Sequence, residues 1–161
     1  MSTPTPTLDV PMIWISGAAD YSRLWLVIAA ALAAAGGRRG RRAAGHGLTA
    51  VVVASITANL VAKHFFSRRR PIQSSDTAKR PVRMPRSSSF PSGHTSSAFA
   101  FAAAVTGDYP KLAIGLYGLA TAVGYSRVHL GVHYPSDVMG AGVLGLAAGT
   151  ALRSLSQPGC P

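Results

Sequence analysis

Ser126-Arg127 is followed after five residues by His133 and after three more by Asp137. The same chain carries Pro91-Ser92-Gly93-His94, and Lys63 with Arg70-Pro71 seven positions on. A histidine with a carboxylate four residues later can act as nucleophile or general base, because the carboxylate fixes the ring tautomer and stabilises a cationic ring. His133 and Asp137 have that spacing. A second histidine on a Ser-Gly turn can give a proton to a leaving oxygen, while the glycine lets backbone amides come close to an anion. His94 is so placed. Lys63, Arg70 and Arg127 supply positive charge for phosphoryl oxygens, the two arginines in bidentate fashion. Together these clusters hold almost every group that a metal-free phosphoryl-transfer site needs.

The elements that must position them are constrained by composition. A chain of 161 residues suits one domain. It is 48% hydrophobic and 13% charged, the latter about half the share usual for soluble domains, which points to a membrane protein. Abundant Ala and Gly agree, since small residues let membrane helices pack closely. The lone Cys160 permits no disulfide within the chain. Sixteen Lys and Arg against five acids, all Asp, give a formal charge of +11. Such a balance calls for an anionic partner: phosphorylated substrate, lipid head groups or nucleic acid. Nucleic acid is not expected, because the basic tracts are short and accompany no nucleic-acid module. Met1 to Pro11 holds no basic residue and does not read as a cleavable signal, so insertion would use the first retained helix.

Apolar segments run from Tyr21 to Gly37, Gly47 to Phe66, His94 to Thr106, Lys111 to Tyr125 and Pro135 to Leu152. Only the second comfortably reaches the roughly 20 residues of a perpendicular span, so the others are expected to tilt or lie partly at the interface. Buried helices of a soluble bundle have similar lengths, and low charge with small-residue content decides for the membrane. Leu8 to Asp20 reads as an interfacial helix. Ser67 to Phe90, basic and broken by Pro71, Pro81 and Pro85, reads as a loop, and Arg38 to Gly47 and Tyr109-Pro110 as turns. The expectation is an all-α, membrane-embedded bundle of about five transmembrane helices with an N-terminal interfacial helix, forming one domain over residues 1–161. Alternating helix directions would bring all three clusters to one face, with His94 near a helix N-terminus that favours anions.

The clusters resemble the signature of the type 2 phosphatidic acid phosphatase superfamily, which includes lipid phosphatases, bacterial acid phosphatases and vanadium haloperoxidases. Lys63 to Pro71, Pro91 to His94 and Ser126 to Asp137 match its fixed positions in order, and the resemblance covers about residues 60 to 150. It implies that His133 attacks phosphorus and forms a phosphohistidine while Asp137 holds its ring. It implies that His94 protonates the leaving lipid oxygen and then activates water. Lys63, Arg70, Ser92, the Gly93 amide and Arg127 would hold the phosphoryl oxygens. The implied protein is an integral-membrane lipid phosphatase without cofactor or metal. Phosphatidate, phosphatidylglycerol phosphate, a polyprenyl diphosphate or a polyprenyl-linked sugar phosphate would be its substrate. The Ala- and Arg-rich, glutamate-free composition looks like that of a high-GC bacterium such as an actinobacterium, and the small size is similar to that of enzymes acting on decaprenylphosphoryl-5-phosphoribose. The resemblance leans toward an extracytoplasmic site in the inner membrane, although loop charge is nearly even once catalytic cations are set aside.

Duller readings exist for single residues: His94 as a helix cap, Asp137 as an N-cap, Arg127 as an interfacial anchor. They do not account for the joint spacing. His46, His64 and His129 match no fixed position and are expected to be structural. Arg68, Arg69, Lys79, Arg80, Arg83 and Arg86 are expected to form a solvated basic surface, with Arg69 and Arg83 near enough to touch substrate. Two other functions fit less well: a vanadium-haloperoxidase-like oxidoreductase, and a non-catalytic protein binding anionic lipid.

Overall fold

The computed structural model describes residues 6–62, 65, 67–71 and 87–156. Lys63, His64, Lys79, Arg80, Arg83, Arg86 and Cys160 lie outside the described residues, so the expectations placed on them have no structural counterpart here. Helix α1 (Pro6–Ala19) meets α2 (Arg23–Ala35) through a 3-10 turn at Asp20–Ser22. Helix α3 (Gly37–Ile56) continues as a π turn, Thr57–Ala62. Helix α4 (Gly93–Asp108) is followed by a 3-10 turn (Pro110–Leu112), α5 (Ala113–His129) and α6 (Pro135–Ser156). No strand occurs among the described residues.

Thr7–Ala35, Gly37–Leu60 and Pro135–Ser156 are long and apolar enough to cross a membrane. Their outer faces carry Val27, Val53, Val143 and Leu155, large apolar side chains left exposed where lipid would meet them. The chain is an integral membrane protein with an all-α fold. Helix α4, only 16 residues long, is the central element, packed against α6, α3 and α5. Its Ala- and Ser-rich sequence makes that possible, because a helix with small side chains all round can be enclosed on every side. From Thr95 to Val105 only Phe99 escapes full burial.

The α4–α6 crossing depends on two glycines. A Cβ at Gly145 would collide with the Ser96 carbonyl oxygen, and one at Gly149 would lie 2.5 Å from the Ala100 carbonyl oxygen. Both obstacles are backbone, which cannot swing aside. Gly145→Ala is therefore expected to force the helices apart and to cost about 1–3 kcal/mol, read as a lower melting temperature of the detergent-solubilised protein.

At the end of α4 remote from His94, Asp108 ties the bundle together. Its Oδ1 accepts from Arg42 Nε at 2.8 Å and Nη2 at 2.5 Å, its Oδ2 lies 3.1 Å from His46 Nδ1, and its carbonyl accepts from Arg39 Nε at 2.7 Å. This corrects the expected turn from Arg38 to Gly47, which is helical from Gly37 onward. Arg39, Arg42 and His46 recur at helical spacing and so share a face. Their common partner, 62 to 69 positions away in sequence, makes that face a packed one. The residues expected as an interfacial helix, Leu8 to Asp20, are helical to Ala19 as α1, which packs along α5 and belongs to the apolar stretch Thr7–Ala35.

Candidate active site

The start of α6 fixes the first half of the site. Pro135 supplies a first helical residue with preset φ. Asp137 Oδ2 reaches back to accept the Tyr134 amide at 2.9 Å, a reciprocal cap of the kind an acidic residue makes in a helix's first turn. Its Oδ1 accepts from Arg68 Nη1 at 2.8 Å, and Arg68 also lies 4.1 Å from the centre of the Tyr134 ring. Arg68, expected as solvated surface, is thus a partner of the buried Asp137. Capping and pairing occupy Asp137, and Oδ2 stands 3.8 Å from His133 Nδ1, beyond hydrogen-bond reach.

The ring of His133 is held instead by backbone. Nδ1 lies 2.6 Å from the Ser89 carbonyl oxygen. A carbonyl can only accept, so Nδ1 carries the proton. Arg70 Nη1, which can only donate, sits 3.2 Å from Nε2, so Nε2 carries the lone pair. The two contacts select one tautomer of the neutral ring. Burial, then the charges of Arg70 and Arg127, hold the His133 pKa far below its ordinary value. The ring is accordingly neutral, with Nε2 able to attack, throughout the physiological range.

Arg70, 1% exposed, knits the loops around that ring. It donates to the carbonyls of Ser87 at 3.2 Å, Ser88 at 3.1 Å and Val132 at 3.1 Å. The Ser89 amide in turn donates to the Arg68 carbonyl at 3.0 Å. Three stretches far apart in sequence are therefore fixed to one another at the place where His133 emerges.

Arg70, Gly93, His94, Arg127 and His133 line one open cavity of about 320 Å³, which Tyr21 and Asn59 among others also border. Arg127 is 2% exposed; Nη1 donates to Ser16 Oγ, and Nε has no hydrogen-bond partner among the described residues. A buried cation with an unsatisfied donor is costly unless something anionic comes to it. Ser92 and Asp137 are not among the lining residues. Ser92 Oγ accepts from Thr95 Oγ1 at 3.0 Å, and its amide donates to the Asp137 carbonyl at 3.3 Å, so Ser92 joins the start of α4 to the start of α6. Lys63 lies outside the described residues.

Sequence reasoning missed several partners: the Ser89 carbonyl, Ser16 and Asp20, whose Oδ1 lies 2.8 Å from His94 Nε2. A usable signal for the last was the scarcity of acids. Each described aspartate stands beside a histidine: Asp9 at 2.8 Å from His129, Asp20 from His94, Asp108 from His46 and Asp137, more loosely, from His133. His129 and His46, expected to be structural, do not line the cavity.

A helical bundle with two histidines, two buried arginines and a helix start at Gly93 around one cavity defines a class. The PAP2 superfamily model matches residues 44–158, and the chain belongs to that superfamily. Among individual proteins, it is 43% identical over 61 residues to lipid A 1-phosphatase of Rhizobium etli, a match covering 38% of this chain and 25% of that protein. The enzyme of the same name from Rhizobium johnstonii matches equally, at 43% over 61 residues with 23% of its length covered. The chain thus spans about a quarter of the length of these curated relatives. In structure it is similar to a transmembrane PAP2-type phosphatidylglycerolphosphate phosphatase from Bacillus subtilis. The TM-score is 0.67 at 26% identity, over 94% of this chain and 78% of that one. The fold also matches LpxE of Aquifex aeolicus, with TM-score 0.74 and 24% identity over 93% and 87% of the two chains.

Proposed function

We propose that this protein is a lipid phosphatase that removes a phosphoryl group from a membrane lipid through a phosphohistidine on His133. The observation that carries the reading is the fixed tautomer of His133, with its lone pair on Nε2, in a cavity that also holds His94 and the under-satisfied Arg127. Nε2 attacks phosphorus in line as the bond to the lipid oxygen breaks, and His94 gives that oxygen a proton. Water then loses a proton to His94 and attacks the phosphohistidine. The N–P bond breaks, and inorganic phosphate and the neutral ring are restored. Arg70 and Arg127, with the Gly93 amide at the start of α4, hold the oxygens over which charge spreads, as a divalent cation does in other phosphoryl-transfer sites. Asp137, by its cap and its pair with Arg68, keeps the segment carrying His133 in place.

A phosphorylated lipid suits this site because its tail can remain among the exposed apolar helix faces while its phosphate enters the polar end. The named activities of the relatives, on lipid A and on phosphatidylglycerolphosphate, are of that class. We place the site end on the outer side of a bacterial inner membrane. That placement follows the family resemblance, because loop charge is nearly even between the two ends once the site's own cations are set aside. Arg68, Arg70 and Arg127 are already engaged by the site.

The test is a phosphate-release panel on purified protein with EDTA present, using short-chain phosphatidate, phosphatidylglycerol phosphate, prenyl diphosphates and a prenyl-linked ribose phosphate. Turnover of at least one, unchanged by EDTA, is the expected result. Strict dependence on added magnesium would point to a different chemistry.

A further inference from the structure

The histidine assigned as proton donor is held from outside the region that the family model matches. His94 Nε2 lies 2.8 Å from Oδ1 of Asp20, and Asp20 opens the 3-10 turn between α1 and α2, well before residue 44 where the match begins. We propose that Asp20 is a positioning residue for His94: its carboxylate accepts the Nε2 proton, orients the ring at the cavity wall and stabilises the imidazolium that must exist before a proton can pass to the leaving oxygen. This rests on the lipid-phosphatase reading and deepens it.

Local structure supports the assignment. Tyr21 and Ser22, directly after Asp20, adopt φ of 53° and 60°, the left-handed region that non-glycine residues enter only when surrounding contacts impose it. Neither turn residue is itself buried, while Ala19 and Trp25 on either side of the turn anchor in the core. What the corner achieves is the placement of Asp20. The rest of α1 is directed to the same end of the bundle, through Ser16 to Arg127 and Asp9 to His129.

Electrostatics sharpen the point. His94 shares its cavity with Arg70, Arg127 and His133, a setting in which two fixed cations oppose a third charge on the ring. A nearby carboxylate offsets that opposition. The same carboxylate, its side chain 45% exposed, disfavours an incoming phosphate by like-charge repulsion. Direct contact with the phosphate is therefore disfavoured for Asp20, whose charge also acts on Arg127, and its hydrogen bond to His94 points to support of the imidazolium.

The two effects separate in kinetics. Substrates with an alkoxide leaving group need the proton, whereas p-nitrophenolate departs without it. In full-length protein in detergent, Asp20→Asn is expected to lower kcat for short-chain phosphatidate on the order of tenfold to a hundredfold. Turnover of p-nitrophenyl phosphate should stay within about twofold of wild type, and KM for phosphatidate should not rise. Asp20→Glu should recover most of the lost kcat. Equal loss on both substrates would make Asp20 a structural anchor and overturn the proposal, as would wild-type kcat on phosphatidate. His133→Ala in the same assay tells the two failures apart. If it is inactive while Asp20→Asn behaves as wild type, only the role of Asp20 falls; if it remains active, the phosphatase mechanism falls and this inference with it.

Discussion

Replacing His133 by alanine is expected to lower phosphate release by about a thousandfold or more, toward background, with the fold and membrane insertion retained. The size of the effect follows from the geometry. The ring is the group in the cavity with a lone pair directed by two fixed partners, the Ser89 carbonyl on Nδ1 and Arg70 on Nε2. The cavity's arginines do not act as nucleophiles at physiological pH, and His94 is engaged with Asp20. Folding should survive because the imidazole is neutral and its backbone amide bonds to the Arg127 carbonyl regardless of side chain. His133→Gln, which can still donate to Ser89 but cannot form the intermediate, should be as inactive as His133→Ala.

Arg127→Ala is the second large effect, a loss of roughly a thousandfold in kcat/KM, the order seen when a phosphate-clamping arginine is removed from a phosphoryl-transfer site. Arg127 is buried at the end of α5, donates to Ser16 and keeps Nε unpaired among the described residues, so its guanidinium is oriented before substrate arrives. Pre-orientation is why the effect should fall on kcat and KM together. Arg127→Lys preserves charge but loses the fork, and should recover only part of the activity, remaining about ten- to a hundredfold below wild type. Steady-state kinetics on whichever lipid the release panel identifies would show both variants in order. An Arg127→Lys protein as active as wild type would mean that the fork is not used.

The site was largely legible because its chemistry demands particular side chains at particular spacings. His94, Arg127 and His133 announce themselves in that way, and helix alternation brings them together at one end, as the common cavity shows. What could not be read was contributed by groups without a side-chain signature or a local spacing. The Ser89 carbonyl fixes the nucleophile's tautomer, yet any residue could offer it. Asp20 meets His94 across 74 positions and Asp9 meets His129 across 120, distances over which no periodicity carries information. Asp137 shows the reverse case: its i to i+4 spacing from His133 suggests a direct bond, but the helix start claims the carboxylate first, and Arg68 completes it. In the fold, the arginines before Gly47 looked like a turn because charge interrupts the apolar pattern. Only Asp108, far along the chain, turns them into the first turns of α3.

The central claim is a covalent phosphoryl group on His133, and trapping it is the most direct measurement. Purified protein is mixed with radiolabelled lipid phosphate, quenched in alkali, where a phosphohistidine survives, and mapped by peptide digestion. The account predicts label on the peptide containing His133, its release by acid, and its disappearance in His133→Ala. Turnover with no label on that peptide, or label that persists when His133 is replaced, would contradict it.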